Sequence, residues 1–307
     1  MTNKIYDVAM IGAGPAALAA AVYTTREDLD TVLIEKGVVG GLAAITDNVE
    51  NYPGFVEGIS GLDLAERFEK QAERFGAKIE YGEVKDIIVD GGIKKVVTVD
   101  GEFYARAVLI ATGTDYKKLG VPGEKEYYGR GVHFCATCDG AFYRDKNIAV
   151  IGGGNSAVQE ALFLTRFASH IDLLVRSELR ASDVLIHELE ANKKITVHTK
   201  TTTDEIVGQD GKVNKVVGTK DGKKVEFAVL GVFIFIGLKP NSGFLRNVKG
   251  MKFDDYGFIK TDKDLQVGID GVFACGDVRS GATMQIASAV GEGATAALKI
   301  REYLEHK

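Results

Sequence analysis

Tyr6-Asp-Val-Ala-Met-Ile11 runs directly into Gly12-Ala-Gly14-Pro-Ala-Ala17, and the reading of these twelve residues decides the fold. The apolar run predicts a short buried strand, and the Ala-rich stretch Pro15–Thr25 predicts a helix. A second apolar run, Thr31–Glu35, completes a β-α-β unit. Gly12 allows the tight turn, Gly14 lets backbone approach a pyrophosphate, and the third position, Ala17, packs helix on strand. The pyrophosphate then meets the positive end of the helix. Glu35 ends the second strand 23 residues after Gly12, where a carboxylate accepts from ribose hydroxyls. A lone glycine motif is a weak signal; this one has its strand, its helix and its acid.

The pattern then begins again. Asn147–Ile151 predicts a strand, Gly152-Gly-Gly154-Asn-Ser156-Ala157 a second nucleotide turn, Ser156–Phe167 a helix, and Ile171–Val175 another strand. Gly152 stands 140 residues after Gly12. Two hairpins, turning at Asp100-Gly101 and Asp221-Gly222, and two strand-end glycines, Gly113 and Gly237, recur at similar offsets. The chain is therefore read as α/β, with a duplicated, Rossmann-like nucleotide-binding unit. Gly271–Cys275 and the long Ala-rich helix Thr283–Leu304 cannot bury a core of their own and must pack back onto the first unit. The second domain becomes an insertion. The expected boundaries are 1–115 with 243–307 for the first domain and 116–242 for the second, with crossings near Thr114 and Asn241.

The matching acid position of the second unit is Val175, followed by Arg176 and Arg180. Arginine suits a 2′-phosphate, so NADPH is expected there, with NADH possible; the competing reading is two merely exposed strand-end arginines. On this view an arginine at position 175 would sharpen NADPH use. Two nucleotide sites imply two cofactors, and FAD with a nicotinamide nucleotide is the usual pair. Asp277, after a strand, fits a bond to a ribityl hydroxyl, although such an aspartate is also a common helix cap.

Composition narrows the function further. The 307 residues are 45% hydrophobic and 26% charged, with 37 Gly, 4 Pro and no Trp, which excludes disorder, collagen and coiled coil. The net charge is −5 and there is no basic tract, so nucleic acid and anionic membrane are not expected partners. No apolar run approaches the roughly 20 residues of a membrane span. The N-terminus reads straight into a strand, without a leader. Three cysteines are too few for a disulfide scaffold and point to a reducing, cytoplasmic setting.

Two of them form Cys135-Ala-Thr-Cys138, followed at once by Asp139. A zinc site needs about four ligands, and only Cys275 and His133 could add to the pair, so no metal is expected. A purely structural disulfide suits the cytosol poorly. A redox dithiol remains, with Asp139 placed to relay a proton. His170, His187, His198 and His306 read as surface residues without partners, His133 has no evident role, and Cys275 reads as a buried apolar residue.

Taken together, these motifs resemble the low-molecular-weight, bacterial-type thioredoxin reductases, a group of FAD-containing pyridine nucleotide–disulfide oxidoreductases. The resemblance runs through Gly12-x-Gly14-x-x-Ala17, Gly40-Gly41, Glu50-Asn51-Tyr52-Pro53-Gly54, Ala111-Thr112-Gly113, Cys135-Ala-Thr-Cys138-Asp139-Gly140, the second glycine motif and Cys275-Gly276-Asp277, in family order. It implies that Gly12, Gly14, Ala17 and Glu35 hold the FAD pyrophosphate and ribose. Gly41, Asn51, Thr112, Asp277 and Gln285 would line the rest of the FAD site. Gly152, Gly154 and Ser156 would hold the nicotinamide nucleotide, with Arg176 and Arg180 beside it. Cys138 would face the flavin and Cys135 would attack the disulfide of a thioredoxin or thioredoxin-like protein. A homodimer is implied, as is rotation of the inserted domain so that dithiol and nicotinamide reach one flavin in turn. Four positions depart from the family pattern: Leu174-Val175 stand where His-Arg is common, Met284 precedes Gln285 in place of arginine, and Leu42 follows Gly41 in place of glutamine. A flavin-dependent dithiol oxidase that uses oxygen would share fold and dithiol but not need the second glycine motif. A thioredoxin reductase-like enzyme fed by another donor, a ferredoxin–NADP reductase and a nucleotide-binding regulator are the other readings.

Overall fold

The computed structural model describes residues 4–46 and 49–306; the Lys36–Phe55 loop therefore includes two positions, 47 and 48, outside the described residues. Along the chain lie β1 (Ile5–Ile11), α1 (Pro15–Arg26), β2 (Thr31–Glu35), α2 (Gly61–Arg74), β3 (Lys78–Tyr81), β4 (Val84–Asp90), β5 (Ile93–Thr98), β6 (Glu102–Ile110) and β7 (Thr114–Tyr116). Then come β8 (Val132–His133), α3 (Ala136–Asp139), β9 (Asn147–Ile151), α4 (Asn155–Leu164), β10 (His170–Leu174), α5 (Asp183–Ala191), β11 (Ile195–His198), β12 (Thr201–Gln209), β13 (Lys212–Lys220), β14 (Lys223–Phe227) and β15 (Gly231–Ile234). The last are β16 (Leu238–Pro240), β17 (Val272–Ala274) and α6 (Ile286–Glu305). No helix among the described residues is long and apolar enough to cross a membrane.

The chain divides into two units, residues 1–115 with 239–307, and 116–238. The second crossing thus falls at Leu238 and Lys239, four residues before the expected boundary.

In the first unit the sheet order is β3-β2-β1-β6-β5-β4, with β17 also on β6. β6 is one strand with three partners, of which β1 runs parallel to it along most of its length. Its first half pairs antiparallel with β5, and its second half takes β17 in parallel through Val108–Ile110. The residue pattern follows that change. The hairpin end is part-exposed, whereas Ala107–Ile110 is wholly buried, as expected of a parallel strand covered on both faces. The tail strand β17 therefore completes the first sheet. α6 then lies against α1, and only small residues permit the approach: a Cβ on Gly293 would stand 2.1 Å from the Ala16 carbonyl oxygen.

A buried lysine closes this packing. Lys94 has no exposed surface, and its ammonium donates to the Arg106 carbonyl at 2.8 Å and to Tyr303 Oη at 2.8 Å, tying the hairpin to α6. Such a cation is tolerated inside because its protons are hydrogen-bonded.

In the second unit β11-β10-β9-β15-β8 form an all-parallel sheet, and β12-β13-β14 an antiparallel one. β12 was not legible as a strand, because its TTTDEIVGQ pattern is polar and half-exposed; pairing with β13 supplies what the apolar pattern lacks. The connecting segments β7 and β16 hydrogen-bond to each other. Beside them, Thr112 Oγ1 donates to the Asn241 carbonyl at 2.8 Å and Asn241 Nδ2 returns a bond to the Thr112 carbonyl at 3.1 Å.

Candidate active site

The first unit holds a cleft of about 330 Å³ at the carboxyl ends of β1 and β2, where parallel α/β sheets bind ligands. Gly12, Glu35, Lys36, Lys85, Thr112 and Asn241 are among its walls. Gly12 has φ +97°, and a Cβ there would stand 2.6 Å from the Ala111 carbonyl oxygen. Gly14 has no heavy atom within 4 Å of a would-be Cβ, so the amino end of α1 is open to a ligand. Ala17 is wholly buried.

Glu35 is more engaged than its sequence reading implies. One carboxylate oxygen accepts from Ala13 N and the other from Gly37 N, both at 2.7 Å. The side chain braces the glycine turn from below, and its remaining lone pairs face the cleft. Asn51 Nδ2 donates to Gln285 Oε1 at 3.1 Å, joining two residues 234 positions apart. Gly41 has φ +56° and open space around it. Met284, where the family has arginine, also adopts a left-handed conformation, φ +58°. Leu42 sits in a 3-10 turn, Gly41–Ala43.

Asp277 offers the sharpest test of whether this unit fits FAD. Its carboxyl is mostly buried and accepts no hydrogen bond among the described residues. Burial, and then the Glu292 charge, push its pKa up to about 6, from an ordinary 3.8. Glu292 itself is taken up by Arg279 and by Gly276 N, 2.8 Å away. A buried acceptor left open in this way suits a polyol hydroxyl, so the residues present fit the group. The sign follows from the raised pKa. The folded apoprotein binds this proton more tightly than the unfolded chain, so Asp277 weakens the fold increasingly as pH rises from about 4 through about 6. Asp277→Asn should raise apoprotein stability at pH 7 by up to ~3 kcal/mol and leave it unchanged near pH 4. Denaturant melts at the two pH values measure this; an equal effect at both would mean that the charge is not what burial opposes.

The second glycine motif repeats the first closely. Gly152 has φ +147°, with a would-be Cβ 2.4 Å from the Phe235 carbonyl oxygen and 2.7 Å from Ala157 Cβ. Gly154 is open, and Ser156 is exposed on the first turn of α4. Val175 occupies the Glu35 position, but it is only 2% exposed, and a Cβ on Gly153 would stand 2.6 Å from its Cγ1. A methyl group fills the space that the Glu35 carboxylate fills in the first unit. The acid position of the second unit is thus a filled apolar floor rather than an empty space. Arg176 and Arg180 are exposed, with Glu178 exposed between them, and Arg180 N donates to the Gly153 carbonyl at 2.7 Å.

The dithiol follows β8. Cys135 and Cys138 are joined in a disulfide, and Cys138 N donates to Cys135 Sγ at 3.2 Å. Asp139 comes next, and its Oδ2 lies 3.1 Å from Nδ1 of His133. Nε2 of the same ring lies 2.6 Å from Tyr143 Oη. Burial, and then the Asp139 charge, push the Tyr143 pKa up, so its hydroxyl stays protonated. Sequence reasoning passed over His133 because its two partners lie six and ten residues on, at no helical or strand spacing. It also took His198 as partnerless; His198 Nε2 is 2.8 Å from Asp172 Oδ1, with His170 at 3.8 Å from the same oxygen. Cys275 is wholly buried, and burial pushes its thiol pKa up.

Two nucleotide turns and a dithiol beside an acid define a two-site disulfide oxidoreductase. The family profile described as pyridine nucleotide-disulphide oxidoreductase matches residues 6–293. A thioredoxin reductase of Bacillus subtilis is 46% identical over 99% of this chain and 96% of its own length. Among solved structures, a thioredoxin reductase of Streptococcus pyogenes is similar at a TM-score of 0.95 with 41% identity, covering 100% of both chains. One from Giardia duodenalis reaches 0.93 with 32% identity, over 99% of this chain and 100% of that one. The chain belongs to the pyridine nucleotide-disulphide oxidoreductases and, within them, to the thioredoxin reductase family.

Proposed function

We propose that the protein reduces a thioredoxin-like disulfide with electrons from NADPH, through FAD held by the first unit and the Cys135–Cys138 pair of the second. The observation that carries the reading is the redox disulfide on a chain with two complete glycine turns. Bound FAD supplies a two-electron carrier between a reduced nicotinamide and a disulfide. Gly12, Gly14 and Ala17 seat its pyrophosphate, Glu35 its ribose, Asp277 its ribityl chain, and Gly41, Asn51, Thr112 and Gln285 the rest. Gly152, Gly154 and Ser156 seat the nicotinamide nucleotide.

The roles of the two sulfurs follow from their surroundings. The Cys138 amide that donates to Cys135 Sγ would favour a thiolate there once the pair is reduced, as the attacking sulfur requires. Cys135 attacks the partner disulfide, Cys138 then attacks Cys135 and releases the partner dithiol, and the disulfide is restored. Asp139 moves the protons that the thiols give up and the departing thiolates take. The paired segments β7 and β16 support the reading of two crossings that act as a pivot. A homodimer in the cytoplasm belongs to the same proposal and rests on the family likeness.

Arg176 and Arg180 are assigned to the 2′-phosphate. A hydrogen bond to a charged group contributes roughly 1.5–3 kcal/mol, so Arg176→Ala should raise the Michaelis constant for NADPH by about tenfold or more and leave that for NADH unchanged. Because Glu178 faces the same solvent and Val175 brings no cation, wild type should prefer NADPH by a modest margin. Anaerobic stopped-flow bleaching of the flavin with NADPH and NADH, followed by turnover with thioredoxin, tests the reading. Colourless protein that refuses FAD, or flavin that neither nucleotide reduces, overturns it.

A further inference from the structure

His133 is buried, yet both of its ring nitrogens are used inside the second unit. Nδ1 points at the Asp139 carboxylate and Nε2 at the Tyr143 hydroxyl, at 3.1 and 2.6 Å. The partners dictate the proton positions. A carboxylate only accepts, so Nδ1 carries the hydrogen that faces Asp139, and Nε2 is left to the Tyr143 hydroxyl. The ring is locked between neighbours: it stacks on Phe233 with centroids 5.2 Å apart, and Tyr143 packs edge-on against both. The Tyr143 ring is itself pinned by Gly231, where a Cβ would stand 2.3 Å from it. We propose that His133 is a positioning residue for the acid of the dithiol: an imidazole, oriented by Tyr143, whose Nδ1 hydrogen holds the Asp139 carboxyl in place. This rests on the proposed disulfide reduction.

The other groups facing His133 do not compete for that role. From β15 the contact is Phe233, which carries no charge. Lys146 lies beyond Tyr143, 5.7 Å from its ring centroid, and donates to the Phe142 carbonyl. The cysteines of α3 and its cap are in the disulfide. Asp139 is thus the charge that the imidazole meets directly. Loss of the Nδ1 hydrogen bond therefore frees the Asp139 carboxyl from its place beside the dithiol.

Two substitutions separate the ring's two ends. His133→Asn keeps a donor near the Nδ1 position; His133→Gln keeps a polar group near Nε2 and withdraws the donor from Asp139. The expected result for His133→Gln is a fall of about tenfold in thioredoxin turnover, and a substantial return toward wild type in His133→Asn. Equal turnover in both variants and wild type overturns the proposal. Nitrogen-15 imidazole spectra of the oxidised wild-type protein give a reading that needs no turnover and no folded variant. The expected His133 signal shows a hydrogen on Nδ1. An Nε2–H tautomer with bare Nδ1 overturns the proposal, whereas wild type that fails to reduce thioredoxin while showing the Nδ1 hydrogen counts against the function only.

Discussion

Cys138→Ser should abolish disulfide reduction, by at least ~10³-fold, and leave bound FAD at the wild-type ratio. The dithiol reaction runs through a mixed disulfide, and only the second thiolate can resolve it. With serine at position 138, Cys135 can still attack a partner disulfide, but the product stays linked to the enzyme. The buried Cys275 cannot substitute, because burial raises its thiol pKa and removes it from solvent. Mass spectrometry of the variant incubated with oxidised thioredoxin should find the mixed disulfide at Cys135. Turnover near the wild-type rate would show that electrons bypass this pair. The FAD expectation is independent: every residue assigned to FAD lies in the first unit, and both cysteines lie in the second.

The other large effect is expected at the first turn. Gly12→Val should yield protein without flavin and with the first unit destabilised by ~3–5 kcal/mol. Two penalties add. A β-branched residue at φ +97° pays left-handed strain, and its Cβ would need the space of the Ala111 carbonyl oxygen, 2.6 Å away. That carbonyl belongs to the strand end that carries Thr112, so the backbone cannot yield without opening the cleft. Gly14→Ala is the informative partner. Its Cβ meets nothing within 4 Å, and its φ of −78° is open to any residue. It should fold normally, and only FAD affinity should drop, because the methyl group occupies the approach to the amino end of α1. Absorbance at the flavin band and denaturant melts of the apoproteins separate the two effects. Flavin retained in Gly12→Val would remove this turn from the cofactor site.

Glycine and cysteine patterns are readable because they report backbone and sulfur chemistry, which the local chain carries with it. The φ values of Gly12 and Gly152 and the spacing of Cys135 and Cys138 need no distant partner. Side chains whose role depends on a distant partner were the ones misjudged. Val175 looked like a vacant acid position, and it is the buried floor of the second turn. His198 looked idle, and it meets Asp172 when β10 and β11 pair; His133 meets Asp139 and Tyr143 when the chain after β8 turns back on the strand end. Lys94 is wholly buried, and Tyr303, from α6, supplies an acceptor 209 positions away.

By itself the sequence determined the class of fold, the duplication, the two nucleotide turns and the redox pair, because strand–glycine–helix periodicity and C-x-x-C spacing are local properties. Only the tertiary structure decided what those turns rest on. The Glu35 carboxylate braces one turn through the Ala13 amide, and a valine methyl group fills the same place in the other. It also decided which groups surround the acid of the dithiol. Packing brings the ends of separate elements within hydrogen-bonding distance, and the demand that a buried polar group find a partner then selects among rotamers and tautomers that the sequence leaves equivalent.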